Sequence, residues 1–132
     1  MSTARACAAL VFALALSACG DPGIHVRGQV KTAPDPCRKA QGEVYASTGP
    51  IVGAAVRLRC PERPIADLAT TDATGQFEYM SLGLMDMKCA VLVEKEGYQP
   101  QAFALEDICV LHPFSDTLCS RVSIQAELAP TP

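Results

Sequence analysis

The sequence predicts an all-β fold, a seven-stranded antiparallel Greek-key β-sandwich, and three observations lead there. The first is period-two alternation: Ile24 to Lys31, Ala54 to Cys60 and Arg121 to Leu128 each place apolar residues at every second position, the pattern of a strand with one buried face. The second is punctuation. Ten prolines and nine glycines cut the chain into short segments, as turns between strands require. The third is that no segment carries the period of an amphipathic helix, while Val, Ala and Thr are plentiful, a composition that favours strands.

Residues 1–18 read as a targeting segment rather than as part of the fold. Met1 to Arg5 carries one positive charge, and Ala6 to Leu16 is an unbroken apolar run. A run of that length fits the apolar region of a signal peptide and falls short of the roughly 20 residues that cross a bilayer. It ends in Leu16-Ser17-Ala18-Cys19, which resembles the lipobox of bacterial lipoproteins. The resemblance implies cleavage between Ala18 and Cys19, acylation of the Cys19 thiol and acylation of the new amino terminus. More than one acyl chain is what stable anchoring needs. Gly20 follows the cysteine where an aspartate would resemble an inner-membrane retention signal, so outer-membrane attachment is expected, facing the periplasm or the cell surface. The organisation expected is a signal peptide at 1–18, a lipidated amino terminus and spacer at 19–23, and one domain at 24–132.

The elements of that domain follow in order. Ile24, Val26 and Val30 share one face of the first strand, with His25, Arg27, Gln29 and Lys31 on the other. Thr32 to Gln41 holds two prolines and reads as a loop. Gly42 to Ser47 is a short strand candidate, and Thr48-Gly49-Pro50 is a turn. Ala54 to Cys60 turns Val56, Leu58 and Cys60 inward and Arg57 and Arg59 outward. Ile65 to Thr71 is a further strand. Asp72-Ala73-Thr74-Gly75 then reads as a tight hairpin turn whose glycine supplies positive φ. Phe77 and Tyr79 share a face. Lys88 to Lys95 puts Cys89, Val91 and Val93 on one side, and Gln101 to Leu105 places Phe103 and Leu105 together. Glu106 to Ser120 reads as an insertion. The last strand, Arg121 to Leu128, turns Val122, Ile124, Ala126 and Leu128 inward.

From Gly42 to Phe103 the order of turns and strands resembles the carboxypeptidase regulatory-like domain, a transthyretin-like, prealbumin-type sandwich. The matching residues are Gly49-Pro50-Ile51-Val52-Gly53-Ala54 with Val56 and Leu58, then Ala69 to Phe77 (ATTDATGQF), then Val91-Leu92-Val93 with Glu96-Gly97-Tyr98. Leu82 to Asp86 stands where the family usually has a proline-glycine turn. The resemblance implies an accessory or interaction module without chemistry of its own.

Seven cysteines are present. Cys7 leaves with the signal peptide and Cys19 takes the lipid. Cys37, Cys60, Cys89, Cys109 and Cys119 then lie in an oxidising compartment, and sequence alone leaves their pairing open. One scheme joins Cys109 to Cys119 across a single loop and Cys60 to Cys89 between strands, with Cys37 left over. A rival scheme joins Cys37 to Cys60 and takes Cys89 to the 106–120 segment. A zinc site is a third reading, though no C-x-x-C spacing supports it. In the first scheme the segment from Asp107 to Ser120 forms a rigid projecting loop, provided that the strands ending at Leu105 and starting at Arg121 are neighbours.

The net charge of −3, without a basic cluster, argues against nucleic acid. No catalytic residue, cofactor or resident metal is expected. His25 lies on an outward strand face, and His112 with Asp107 and Asp116 reads as a solvated loop before it reads as a metal site. There is no nucleophile elbow, zinc-protease helix or phosphate-cradling loop. The chain does not end in the Tyr-Arg-Gly-Ser of hydroxyisourate hydrolases, and with no asparagine the lysine–asparagine cross-link of pilin domains is excluded in its usual form.

The function expected is therefore a lipid-anchored envelope protein whose sandwich is a non-catalytic interaction or structural module. Its partners would be the membrane, through the anchor, and another envelope protein. Val110, Leu111, Phe114 and Leu118 form the candidate docking loop; the other reading is that they cap the sandwich. Carbohydrate binding by a starch-binding-like sandwich is the alternative function. A glycan site needs exposed aromatic platforms, and without tryptophan only Tyr45, Tyr98 and Phe114 are available for one.

Overall fold

The computed structural model describes residues 23–34, 49–111 and 113–132. The strand candidate at Gly42 to Ser47, the proposed lipidation and cleavage positions, Cys37 and His112 lie outside them. The described chain runs β1 (Ile24–Thr32), β2 (Ala55–Arg59), β3 (Ala66–Thr70), β4 (Gln76–Ser81), β5 (Met85–Asp86), β6 (Ala90–Glu94), β7 (Gln101–Ala104), the single-turn helix α1 (Leu105–Ile108), β8 (Cys109–Leu111) and β9 (Leu118–Leu128). Strands β3, β2, β6 and β7, in that order, form one antiparallel sheet. The other sheet orders β4, β1 and β9, with β5 and β8 also paired to β9.

The fold is thus an all-β sandwich, but not the seven-stranded, wholly antiparallel Greek key that the sequence predicts. Among the described residues there are nine strands, and β1 runs parallel to β9, with Val26 opposite Val122 and Val30 opposite Ala126. The reason for the difference is physical. Alternation records that one face of a strand is buried, and it is the same whether the neighbour runs parallel or antiparallel. The additional strands β5 and β8 have two and three residues, too few to show a period.

One apolar core fills the space between the sheets. Val26 and Val30 of β1, Val56 of β2, Phe77 of β4, Val91 and Val93 of β6, and Val122, Ile124, Ala126 and Leu128 of β9 are all buried in it. These are the alternate positions that the sequence marks as inward. At Gly28 the same face of β1 carries no side chain, and the Phe77 ring of the paired strand covers the gap. A Cβ on Gly28 would strike the Ile124 carbonyl oxygen and come within 2.9 Å of the Phe77 ring.

The crossing between sheets after β7 overturns a second expectation. Leu105 does not continue the strand beside Phe103. It begins α1, is fully buried, and donates its N–H to the Cys89 carbonyl at 3.0 Å. Strand β7 lies in the antiparallel sheet and β9 in the mixed one, so the strands on either side of the 106–120 segment are not neighbours. Burying Leu105 carries the chain from one sheet to the other, and the segment then becomes α1, β8 and the first residues of β9 rather than one long loop.

Candidate functional site

The two ends of the sandwich differ. Because β1 and β9 run parallel, Gly23 and the start of β9 lie at one end, and Thr32 and Leu128 at the other. The antiparallel partners place the β2–β3 turn, the β5–β6 turn, α1 and the β8–β9 hairpin at the end where Gly23 enters. The Asp72–Gly75 turn is at the opposite end, where the Gly75 carbonyl accepts from the Val30 N–H at 2.8 Å.

The β8–β9 hairpin is the most apolar exposed feature of the first end. Val110, Leu111 and Phe114 are 57%, 40% and 81% exposed, and Leu118 is half-buried. Leu118 is therefore partly covered, while the other three residues of the candidate docking loop point outward. The structure joins Cys109 to Cys119 and Cys60 to Cys89. The first bond closes the base of the hairpin. The second ties the residue after β2 to the residue before β6, where Arg59 and Ala90 end the ladder. The rival pairing of Cys37 with Cys60 is not found. With these four sulfurs bonded, none is a thiolate for zinc, and among the described residues no three His, Cys, Asp or Glu side chains cluster as a metal site would need.

Two local devices hold the hairpin that sequence reasoning missed. Leu111 pairs with Cys119 and Val110 with Arg121, so Ser120 is an extra residue on β9. This bulge shifts the phase of β9 and lets both Cys119 and Val122 face the core. Ser120 Oγ donates to the Val110 carbonyl at 3.1 Å. At the tip, Ser115 Oγ accepts from the N–H groups of Thr117 and Leu118 at 3.2 and 3.1 Å. The signal for the bulge is visible in the chain: Cys119 and Val122 are three apart, out of phase for a regular strand.

The turn residues singled out from the sequence have structural work. Asp72 Oδ1 accepts from the N–H of Thr74 and Gln76 at 2.9 and 3.0 Å and from Thr74 Oγ1 at 2.7 Å. The Thr74 hydroxyl and the two backbone donors hold its carboxyl below its ordinary value of 3.8, by favouring the charged form. Gly75 has φ 75°, and a Cβ there would lie 2.5 Å from the Val30 carbonyl oxygen. Thr71 is buried; its Oγ1 accepts from Ala54 N at 2.8 Å and donates to the Ile51 carbonyl at 2.6 Å. Gly97 takes positive φ, and Tyr98 folds back to bridge Pro130.

The outer face of the mixed sheet is polar. Gln76, Gln29 and Gln125 stand in register across β4, β1 and β9, beside the row Glu78, Arg27 and Ser123. These residues line a shallow groove of about 400 Å³. His25 is on the same face, with Nε2 3.6 Å from a Glu78 carboxylate oxygen. No aromatic platform for a sugar forms there. Tyr98 lies at the Thr32 end, its hydroxyl 3.5 Å from Thr32 Oγ1, and Phe114 at the opposite end, so the two do not share a surface; Tyr45 lies outside the described residues.

No protein-family model matches the chain, and no curated protein matches it. Among solved structures it is similar to the full-length major pilin SpaD from Corynebacterium diphtheriae, with 12% identity over 80% of this chain and a TM-score of 0.44. The chain spans 32% of that pilin's length.

Proposed function

We propose that this chain is an envelope-anchored, non-catalytic interaction module of the carboxypeptidase regulatory-like, transthyretin-like type. Cleavage after Ala18 and acylation of Cys19 tether it, with outer-membrane attachment favoured by Gly20. The observation that carries the reading is the β8–β9 hairpin: three large apolar side chains held outward on a segment closed by Cys109–Cys119. Exposed apolar clusters on small soluble domains mark contact surfaces, and a bridge across the hairpin reduces the ordering cost of contact. The two disulfides agree with an oxidising, extracytoplasmic compartment. The roles of Gly75, Asp72 and Phe77 in the β3–β4 turn support the type of domain.

The test follows the anchor and the contact surface together. In wild-type cells, Cys19 gains acyl mass and the protein fractionates with membranes. Cys19→Ser leaves an unprocessed precursor without acyl chains. Radiolabelled fatty acid entering Cys19→Ser as well as the wild type refutes the anchor. A photoreactive residue at position 114 forms adducts with an envelope component in intact cells, and one at Ala73, at the opposite end, does not. Equal adducts from both positions remove the hairpin as the contact surface.

A further inference from the structure

Seven large apolar side chains are exposed among the described residues, and six of them are Ile65, Met80, Leu82, Val110, Leu111 and Phe114. All six sit at or beside the end of the sandwich from which Gly23 leaves. Ile65 precedes the start of β3, Met80 and Leu82 finish β4 and follow it, and the other three belong to the β8–β9 hairpin. The Gly83 carbonyl accepts from the Ile24 N–H at 3.2 Å, which fixes Leu82 beside the first residue of β1. The seventh, Val52, is at the other end. An apolar set gathered from three separate segments at one end, and that end the one bearing the tether, calls for a single apolar occupant.

The length of the tether identifies it. From Cys19 to Gly23 the chain spans at most about 14 Å when fully extended. The nine residues of β1 run about 30 Å. A tether this short holds the Gly23 end against whatever surface carries the acyl chains and keeps the Asp72 end away from it. We infer that the occupant is the bilayer itself: Leu82, Phe114 and their neighbours rest in the headgroup and upper acyl region, so that the sandwich stands on its apolar end. The inference rests on acylation of Cys19 and names the surface that the hairpin contacts. Five exposed carboxylates, Glu106 and Asp107 of α1 among them, flank the same end against the four cations Arg59, Arg63, Lys88 and Arg121, a near balance that gives anionic lipid no advantage. Apolar contact drives the docking, and zwitterionic lipid suffices.

The absence of tryptophan makes the test direct. Phe114→Trp, Leu82→Trp and the control Ala73→Trp each place one indole in the full-length protein, which is purified in its acylated form and reconstituted into phosphatidylcholine vesicles. Positions 82 and 114 are more than four-fifths exposed, so neither substitution disturbs the core. For both, emission moves to the blue on reconstitution and is quenched by lipids brominated high on the acyl chain, as for side chains seated about 5–10 Å into the boundary. The Ala73→Trp protein shows neither change. A protein that carries its acyl chains and floats with the vesicles, yet whose indole at 82 or 114 escapes quenching as the one at 73 does, overturns the docking and leaves the anchor standing. A blue shift without lipid quenching assigns the surface to a protein contact and also overturns it. A protein without acyl mass that stays out of the vesicle fraction overturns both readings.

Discussion

At the scale of single residues, the end of the sandwich farthest from Gly23 is held by hydrogen bonds to side chains. Thr71 is the buried polar side chain of the described core, and it joins the Ile51–Ala54 turn to the start of the Asp72 turn. Thr71→Val keeps the shape and removes both bonds, leaving the Ala54 N–H and the Ile51 carbonyl without this partner. The expected cost is about 1–3 kcal/mol, read from chemical denaturation. Asp72 adds a pH dependence whose sign is fixed. Its carboxyl titrates lower in the fold than in the unfolded chain, so its contribution is present above about pH 4 and is lost as pH falls through the depressed folded value. Asp72→Asn should lower Tm at neutral pH and make the fall of Tm below about pH 4 shallower, which thermal unfolding across pH 2–7 measures. Asp72, Gly75 and Phe77 were legible because each satisfies a local rule of turn or strand. Thr71 was not, since its partners lie some twenty residues upstream and only the fold brings them together. Gly28 was not either: the Phe77 ring that claims its space sits on another strand.

Among elements, the long strands were read within a residue or two from their alternation, because each buries one face and exposes the other; the exception is β9, which begins at Leu118, three residues before the Arg121 where its alternation starts. What escaped was whatever alternation does not encode. Strands β5 and β8 are held by pairing to β9, not by a pattern of their own. The helix α1 is one turn that exists to bury Leu105 while the chain changes sheets. The bulge at Ser120 is a departure from period two. The pairing of Cys109 with Cys119, by contrast, follows from short separation and does not need the strands flanking the segment to be neighbours. The two bonds should differ in weight. The chain-entropy argument gives about 3.6 kcal/mol for the 29-residue separation of Cys60 and Cys89 and about 2.7 kcal/mol for the 10-residue one of Cys109 and Cys119. Replacing each pair by alanine, and comparing urea midpoints, checks the order: loss of Cys60–Cys89 should cost more.

For the whole molecule, the candidate contact surface was half legible. The sequence marks Val110, Leu111, Phe114 and Leu118 as apolar in a polar stretch, but that three of them are exposed and Leu118 partly covered depends on how β8 pairs with β9, and that pairing is invisible in a strand pattern. The same holds for Ile65, Met80 and Leu82, which look like ordinary strand and loop residues until topology gathers them at one end. That topology has a further consequence, in the order of events as the protein is made. Strand β9 lies at the centre of the mixed sheet, between β1 and β8, and of the described strands it is the last to emerge in synthesis. Until it arrives, β4 is the one described strand that β1 can pair with, and β8 has no partner among the described strands. Contacts between the earliest and latest strands carry a large loop-closure cost and form slowly. The antiparallel sheet of β2, β3, β6 and β7 is complete before β9 is made, but its apolar face stays uncovered. Under the export proposed above, a chain part-way through a translocation channel carries half a sandwich, which locks only once β9 has crossed.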